Sequence, residues 1–215
     1  TQIRAILRAS LDHKLDILLP MVSGVSEVVA AQKLIDEERA WLLDHDIPFG
    51  SPRIGAMIEV PSGVFTALEI ARKVDFLALG TNDLVQYLLA IDRDNESVAD
   101  WYQTLHPAVL RSISEVMKAG AVEGKPVMVC GEMAGSPFYV PLLIGLGARE
   151  LSMNVNSIRQ IRHLISGITI DKTVELTAKI ASCETSEETE EILRSFYTEH
   201  WSDLFPKGIL DAKHR

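Results

Sequence analysis

The sequence has little that would place it in a membrane, on nucleic acid or in an oxidising compartment. No apolar run approaches the roughly 18–20 residues needed to span a bilayer. Lys and Arg number 21 against 30 Asp and Glu, a net charge of -9, so the basic excess that gives affinity for nucleic acid is missing. Two cysteines, Cys130 and Cys183, make no disulfide framework and fit a reducing compartment. The start, Thr1-Gln2-Ile3-Arg4, has no initiator Met and is not a signal peptide. A cytoplasmic protein, or a piece of one, is expected, with no membrane and no nucleic-acid partner. The histidines (His13, His45, His106, His163, His200 and His214) include no pair spaced four apart on a helix to hold a metal. An anionic ligand stays open, because a few Arg side chains or a helix N-terminus can bind one.

What is present is a repeated alternation of short apolar runs with amphipathic stretches. Leu15–Leu19, Arg53–Glu59, Phe76–Leu79, Pro126–Cys130 and Arg149–Met153 read as five strands. Between them, Ser26 is expected to cap a helix whose apolar face holds Val28, Ala31, Leu34, Ile35 and Leu42. Ser62 is expected to cap a helix through Phe65, Leu68 and Ala71, and a further helix lies around Leu84–Leu89. Pro107 suits the first turn of a long helix with Val109, Ile113 and Val116 on one face. Ser136-Pro137 reads as the start of a helix over Phe138–Leu146, and another runs from about Ser157 to Ile165. From Asp171 onward the pattern is helical, with Thr185-Ser186-Glu187-Glu188 fitting a capping box. Strand–helix repeated five times calls for a parallel sheet, either doubly wound or as a (β/α)8 TIM-type barrel. The expected division is residues 1–168 as the sheet-bearing domain and 169–215 as a helical tail.

In parallel α/β architectures ligands bind at the carboxyl ends of the strands. There the sequence places Glu59, then Gly80-Thr81-Asn82-Asp83, then Cys130-Gly131-Glu132, then Met153-Asn154. Glu59 and Asp83 fall at adjacent strand ends. Two carboxylates there suit a hard cation such as Mg2+, which takes one or two protein carboxylates and leaves positions for substrate oxygens. Each could equally serve as a helix cap or an ion-pair partner. Gly80 allows close backbone approach, and the amides of Asn82 and Asp83 suit a carboxylate or phosphate at a helix start, although the segment is also an ordinary turn composition. Arg93 offers a planar fork for a phosphate or carboxylate, or pairs with Asp92 or Asp94 at the surface. Cys130 is either an inert packing thiol or one facing the ligand as a proton donor or acceptor. Cys183, on a helix expected at the exterior, is given no role, and His106 before Pro107 is a weak candidate to face the loops.

The run from Asp75 to Arg93, through Gly80-Thr81-Asn82-Asp83-Leu84-Val85-Gln86-Tyr87, resembles the signature of phosphoenolpyruvate-utilising enzymes. Arg4–Ser10, Met57-Ile58-Glu59-Val60-Pro61 and Cys130-Gly131-Glu132-Met133-Ala134-Gly135 agree with it. Order and spacing hold from Ile3 to about Ile168 and weaken after Thr169. The branch resembled is the C-terminal phosphoenolpyruvate-binding domain of enzyme I, the phosphoenolpyruvate–protein phosphotransferases. The resemblance implies a barrel that binds phosphoenolpyruvate with Mg2+ as cofactor. Glu59 and Asp83 match metal-ligand positions, and Asn82, Asp83 and Arg93 match substrate-binding ones. Cys130 matches the acid that protonates the enolate carbon to give pyruvate. It also implies a phosphoryl acceptor His on a separate N-terminal domain, a phosphocarrier protein as the next partner, and a homodimer.

Departures accompany the match. Ala78 stands where Ser is usual, Asp94 where Gly is common, and Asp16 where the sugar-system enzyme has a basic residue, which points to the nitrogen-related form. Five strands are read against eight in the family barrel, so a partial barrel lacking its first strands is expected. Such a piece is expected to self-associate through open edges and to bind phosphoenolpyruvate weakly or not at all. Rival readings are a phosphoenolpyruvate synthase or dikinase barrel, a Mg2+-dependent lyase barrel acting on oxo acids, and a non-catalytic dimerisation module.

Overall fold

The alternation folds as five parallel strands joined by helical crossovers in a computed structural model that describes residues 1–205 and 208–210. The end of the expected tail, with His214, lies outside the described residues. Chain order is α1 (Gln2–Ala9), β1 (Asp16–Leu19), α2 (Val25–Asp44), β2 (Arg53–Ile58), α3 (Pro61–Phe65), α4 (Ala67–Ala71), β3 (Phe76–Gly80) and α5 (Thr81–Leu89). There follow α6 (Pro107–Val122), β4 (Val127–Cys130), α7 (Glu132–Gly135), α8 (Val140–Gly145), β5 (Glu150–Leu151), α9 (Val155–Gly167), α10 (Ile170–Ile180) and α11 (Ser186–Trp201). Short 3-10 turns cover Glu96–Trp101 and Ser202–Leu204.

The strands lie in the sheet in sequence order, β1-β2-β3-β4-β5, all parallel. A doubly wound sheet reverses direction at a switch point; here every crossover steps the same way. The sheet is open, ending on β1 and β5. Its two faces differ in kind. Ala56, Ile58, Leu77, Leu79 and Val129 join the main core under the helices, and Ile17 and Ile54 join a smaller one with Leu7, Ile35 and Leu42. The opposite face carries Asp16, Arg53, Gly55, Met57, Phe76, Gly80 and Cys130. On it Arg53 makes a two-pronged pair with Asp16 (3.1 and 2.6 Å) and stacks over Phe76. The guanidinium beside Asp16 holds its carboxyl below the usual range.

The helices after Thr169 pack into the same main core. Leu176, Ile180, Leu193, Phe196, Tyr197 and Trp201 all belong to it, and the Tyr197 hydroxyl donates to the Phe138 carbonyl at 2.8 Å. Gly145 lets α8 meet α10, since a Cβ there would overlap the Thr173 carbonyl.

Several expected helix starts move. The cap of α2 is Gly24, not Ser26, because Glu27 in the first turn reaches back to the amide of Ser23 at 2.6 Å. Its buried residues are Val28, Ile35 and Leu42, while Leu34 is exposed. Pro61 takes the first helical position of α3, so Val60 rather than Ser62 is its cap. That helix breaks at Thr66, and Phe65 is left 86% exposed. Ser136 closes α7, and α8 begins only at Val140, with the Ser136 carbonyl accepting from the amides of Tyr139 and Val140. Helix α9 starts two residues before Ser157 because the Asn154 side chain caps it, accepting from the Asn156 amide at 3.0 Å. Cys183 sits in the turn between α10 and α11, buried in the core rather than on an exterior helix. The Pro107 start and the Thr185 capping box stand where expected.

Candidate functional site

The sheet register builds the site. Gly80 pairs with Cys130, Ile58 with Leu79, and Val129 with Leu151. One residue further along those ladders, Glu59, Gly80, Cys130 and Ser152 form a row at the carboxyl ends of four strands, on the face turned away from the helices. Side chains alternate along a strand, so this parity follows from the pleat.

Glu59 is 7% exposed. Its Oε1 accepts from the Met21 amide at 2.8 Å, and Met21 takes a left-handed backbone (φ 53°) to present that amide. Its Oε2 lies over Gly80, where a Cβ would stand 2.5 Å away. Burial pushes the Glu59 carboxyl above its ordinary pKa. The Met21 amide opposes this, and the neighbouring Asp83 adds to it. The two expected carboxylates therefore meet, and a charge there lacks compensation.

Asp83 lies in the first turn of α5, and no side chain caps that helix. Amides at a helix start are groups that can bind an anion. Arg93 reaches the same carboxylate, with Nη1 3.6 Å from Asp83 Oδ1. It is thus turned toward the strand ends. Asp92 accepts instead from the Asp94 amide at 3.0 Å. Helix α5 ends at Ala90 in the left-handed conformation (φ 55°), which turns the chain toward Arg93.

Asn82 is held twice. Its Oδ1 accepts from the Glu132 amide at 3.0 Å, and its backbone carbonyl accepts from the Tyr102 hydroxyl at 2.9 Å. With Oδ1 engaged, Nδ2 is the group left to donate outward. Burial, against the pull of the Arg93 charge, pushes the Tyr102 phenol up to about 12, so the hydroxyl stays a donor. The tight fit between α5 and α7 depends on Gly131 (φ 102°). A Cβ there would overlap Thr81 Oγ1 and come within 2.8 Å of Asn82 Oδ1.

Cys130 is half-buried, and its carbonyl accepts from Thr81 Oγ1 at 2.9 Å. Burial raises its thiol pKa. The neighbouring Ser152 side chain opposes that shift, while the Glu59 charge reinforces it. The thiol is therefore protonated near neutrality. A cavity of about 430 Å³ opens beside it, lined in part by Asn82, Gly131, Glu132, Ser152 and Asn154.

Glu59, Asn82, Asp83, Arg93 and Cys130 are thus gathered at one end of the sheet. His106 is not among them: it caps α6, Nδ1 accepting from the Ala108 amide at 3.1 Å. Asn154 caps α9, and Met153 lies at the edge of the cavity. Sequence reasoning missed Met21, Tyr102 and Ser152. For Ser152 a signal existed, because it follows the apolar Leu151 as Cys130 follows Val129.

Among the described residues no three acidic, His or Cys side chains gather as a metal cage. The pair Glu59–Asp83 still fits Mg2+, which needs few protein carboxylates and retains other oxygens. The Gly80 hollow that admits Glu59 Oε2, and the unfavourable charge at that carboxyl, are the features a cation would suit. No helix among the described residues is long and apolar enough to cross a membrane.

Residues 1–170 match the family described as PEP-utilising enzyme, PEP-binding domain. The chain is 43% identical over 198 residues to the phosphoenolpyruvate-protein phosphotransferase of Lactococcus lactis, covering 91% of this chain and 34% of that protein. It is 41% identical over 199 residues to the Escherichia coli protein named phosphoenolpyruvate-dependent phosphotransferase system, covering 91% of this chain and 26% of that one. The chain thus spans about a third or less of these relatives. Among solved structures, a citrate lyase from Burkholderia xenovorans superposes with a TM-score of 0.57 at 16% identity, covering 94% of this chain and 71% of that one. RipC from Yersinia pestis superposes with a TM-score of 0.51 at 16% identity, covering 79% and 71%. Both are likenesses of fold alone.

Proposed function

From the premise that the chain belongs to the PEP-binding domain family of PEP-utilising enzymes, we propose that it forms the phosphoenolpyruvate site of a phosphoenolpyruvate–protein phosphotransferase. The observation that carries this reading is the row Glu59–Gly80–Cys130 with Asp83 and Arg93 beside it. It sets a cation-binding pair, an anion-binding helix start and a protonated thiol around one space.

In this reading Glu59 and Asp83 hold Mg2+, which when bound neutralises charge on the phosphoryl oxygens. The amides at the start of α5 and Asn82 Nδ2 donate to the anionic substrate. Arg93, beside Asp83, would pair with the phosphate or carboxylate of the substrate. When the phosphoryl group leaves for a protein histidine, the Cys130 S–H bond breaks. Its proton goes to the methylene carbon of the enolate, forming the C–H bond of pyruvate and leaving a thiolate. Catalysis is then positioning and charge neutralisation, with the thiol supplying the one proton.

The five strands are read as an arc of a (β/α)8 barrel. The open sheet covers the site on one side only, so weak ligand binding and no phosphoryl transfer by this chain alone are expected. Edge strand β1 exposes Leu18, and Leu11, Leu15 and Met21 in the segments flanking it are exposed as well, which supports self-association with a second copy. Light scattering across concentration checks this; a strict monomer would contradict it.

The activity is tested by assaying pyruvate release in a full-length protein carrying this domain, with and without a phosphocarrier protein. Release that needs the phosphocarrier supports the reading. Release that ignores it and needs a nucleotide instead points to a synthase or dikinase.

A further inference from the structure

We propose that Ser186, at the start of α11, is a positioning residue for the anion-binding side of the site: through Gln103 it braces the loop that carries Arg93 and ties down Asn82. For the identity of the anion the proposal rests on the phosphoenolpyruvate reading. The family match ends at residue 170, so α11 lies beyond it, and the contact with this loop is what gives α11 a part in the site.

The loop between α5 and α6 ends in successive residues that grip different elements. Tyr102 donates its hydroxyl to the Asn82 carbonyl of α5 at 2.9 Å. Gln103 Oε1 accepts from the Ser186 hydroxyl of α11 at 2.9 Å, a partner 83 residues away in sequence. Thr104, buried, donates to the Tyr139 hydroxyl just before α8 at 2.7 Å. Upstream the bonds are local. The Asn95 amide donates to the Asp92 carbonyl at 3.2 Å, the Val98 amide to the Asn95 carbonyl at 3.1 Å, and the Arg93 amide to Gln86 Oε1 at 3.4 Å. The course of the loop over the strand ends is therefore set where residues 102–104 meet the body of the protein.

Helix α11 is a firm support for that contact. Its start is closed by the capping box of Thr185 and Glu188, and Thr189, Leu193, Phe196 and Tyr197 are buried. It also steadies the second anchor, because the Tyr197 hydroxyl donates to the carbonyl of Phe138, next to the Thr104 partner Tyr139. Thr104 pins the end of the loop to the core. Ser186 fixes the residue between that pin and Tyr102, and so keeps the Tyr102 hydroxyl over the Asn82 carbonyl. Glu59 and Asp83 stand on other elements, after β2 and in α5. The brace thus bears on the groups for the anion rather than on the cation pair.

Ser186→Ala, Ser186→Thr, Gln103→Ala and the double variant of the two alanines test this in the full chain; each keeps the Thr185–Glu188 capping box. The first measurement is amide hydrogen exchange over residues 91–101. It should quicken roughly three- to tenfold in Ser186→Ala and in Gln103→Ala, and return to the wild-type rate in Ser186→Thr. The double variant should be no faster than either single one, because both remove the same bond. Exchange in β4, the comparator, should not move. Unchanged exchange at 91–101, additive effects in the double variant, or equal quickening in β4 would each overturn the proposal. The second measurement is an electron paramagnetic resonance titration of Mn2+ binding against phosphoenolpyruvate. Ser186→Ala should raise the phosphoenolpyruvate concentration for half enhancement about two- to fivefold, with Mn2+ affinity in its absence unchanged. Weakening of both would be a general structural loss and would also overturn the proposal. Equal phosphoenolpyruvate dependence in wild type and Ser186→Ala sinks the positioning role while leaving the phosphoenolpyruvate reading intact. If the loop responds as stated but wild type shows no enhancement, the brace is supported and that reading fails.

Discussion

Gly80 and Glu59 make one fit: a Cβ on Gly80 would stand 2.5 Å from Glu59 Oε2 and 3.0 Å from its Cβ. The carboxylate cannot step aside freely, because Oε1 is held by the Met21 amide. Gly80→Ala is therefore expected to cost about 1–3 kcal/mol by overpacking and to weaken cation binding along with it. Urea denaturation and a Mn2+ titration on the same variant check both.

Tyr102 ties the Asp- and Asn-rich loop that carries Arg93 back to Asn82. Tyr102→Phe removes one hydrogen bond, worth about 1 kcal/mol, and should leave the helices intact by circular dichroism. Hydrogen exchange should quicken across residues 91–101 and nowhere else. Protection unchanged there would show that other contacts hold the loop.

Tyr197 of α11 is fully buried, with its hydroxyl on the Phe138 carbonyl. Tyr197→Phe should destabilise by about 1 kcal/mol and lower Tm by roughly 2–4 °C. An equal or higher Tm would mean that bond contributes nothing.

Asp16 gives a pH dependence. Its folded pKa lies below the ordinary 3.8 because of Arg53, so the unfolded chain binds more protons in that range. The pair's contribution is present above that value and disappears as pH falls through the folded pKa. Melting curves between pH 5 and 2 should show wild type more stable than Asp16→Asn at the upper end, with the two converging in acid. Parallel curves would contradict the assignment.

The strand–helix order was legible because each buried strand is a short apolar run bounded by turn residues. The site residues were legible because they directly follow those runs. What was hidden lay in register and caps. The fifth strand was expected to reach Met153, but it pairs only over Glu150–Leu151. That placed attention on Met153 and Asn154 and missed Ser152. Ser26, Ser62 and Ser136 are good caps by type, yet a Glu reaching back, a proline at the first helical position and a preceding short helix displaced each start. Met21 and Tyr102 carry no local signal at all. Their roles arise from residues 38 and 20 positions away in sequence.

The central claim is that Glu59 and Asp83 hold the cation of a phosphoenolpyruvate site. Electron paramagnetic resonance titration of Mn2+, standing in for Mg2+, with and without phosphoenolpyruvate tests it most directly. In the wild-type chain binding should be weak, and phosphoenolpyruvate should tighten it roughly tenfold, about 1.4 kcal/mol. Glu59→Gln and Asp83→Asn should each abolish the enhancement. Mn2+ binding indifferent to phosphoenolpyruvate, or unchanged in both variants, would contradict the account.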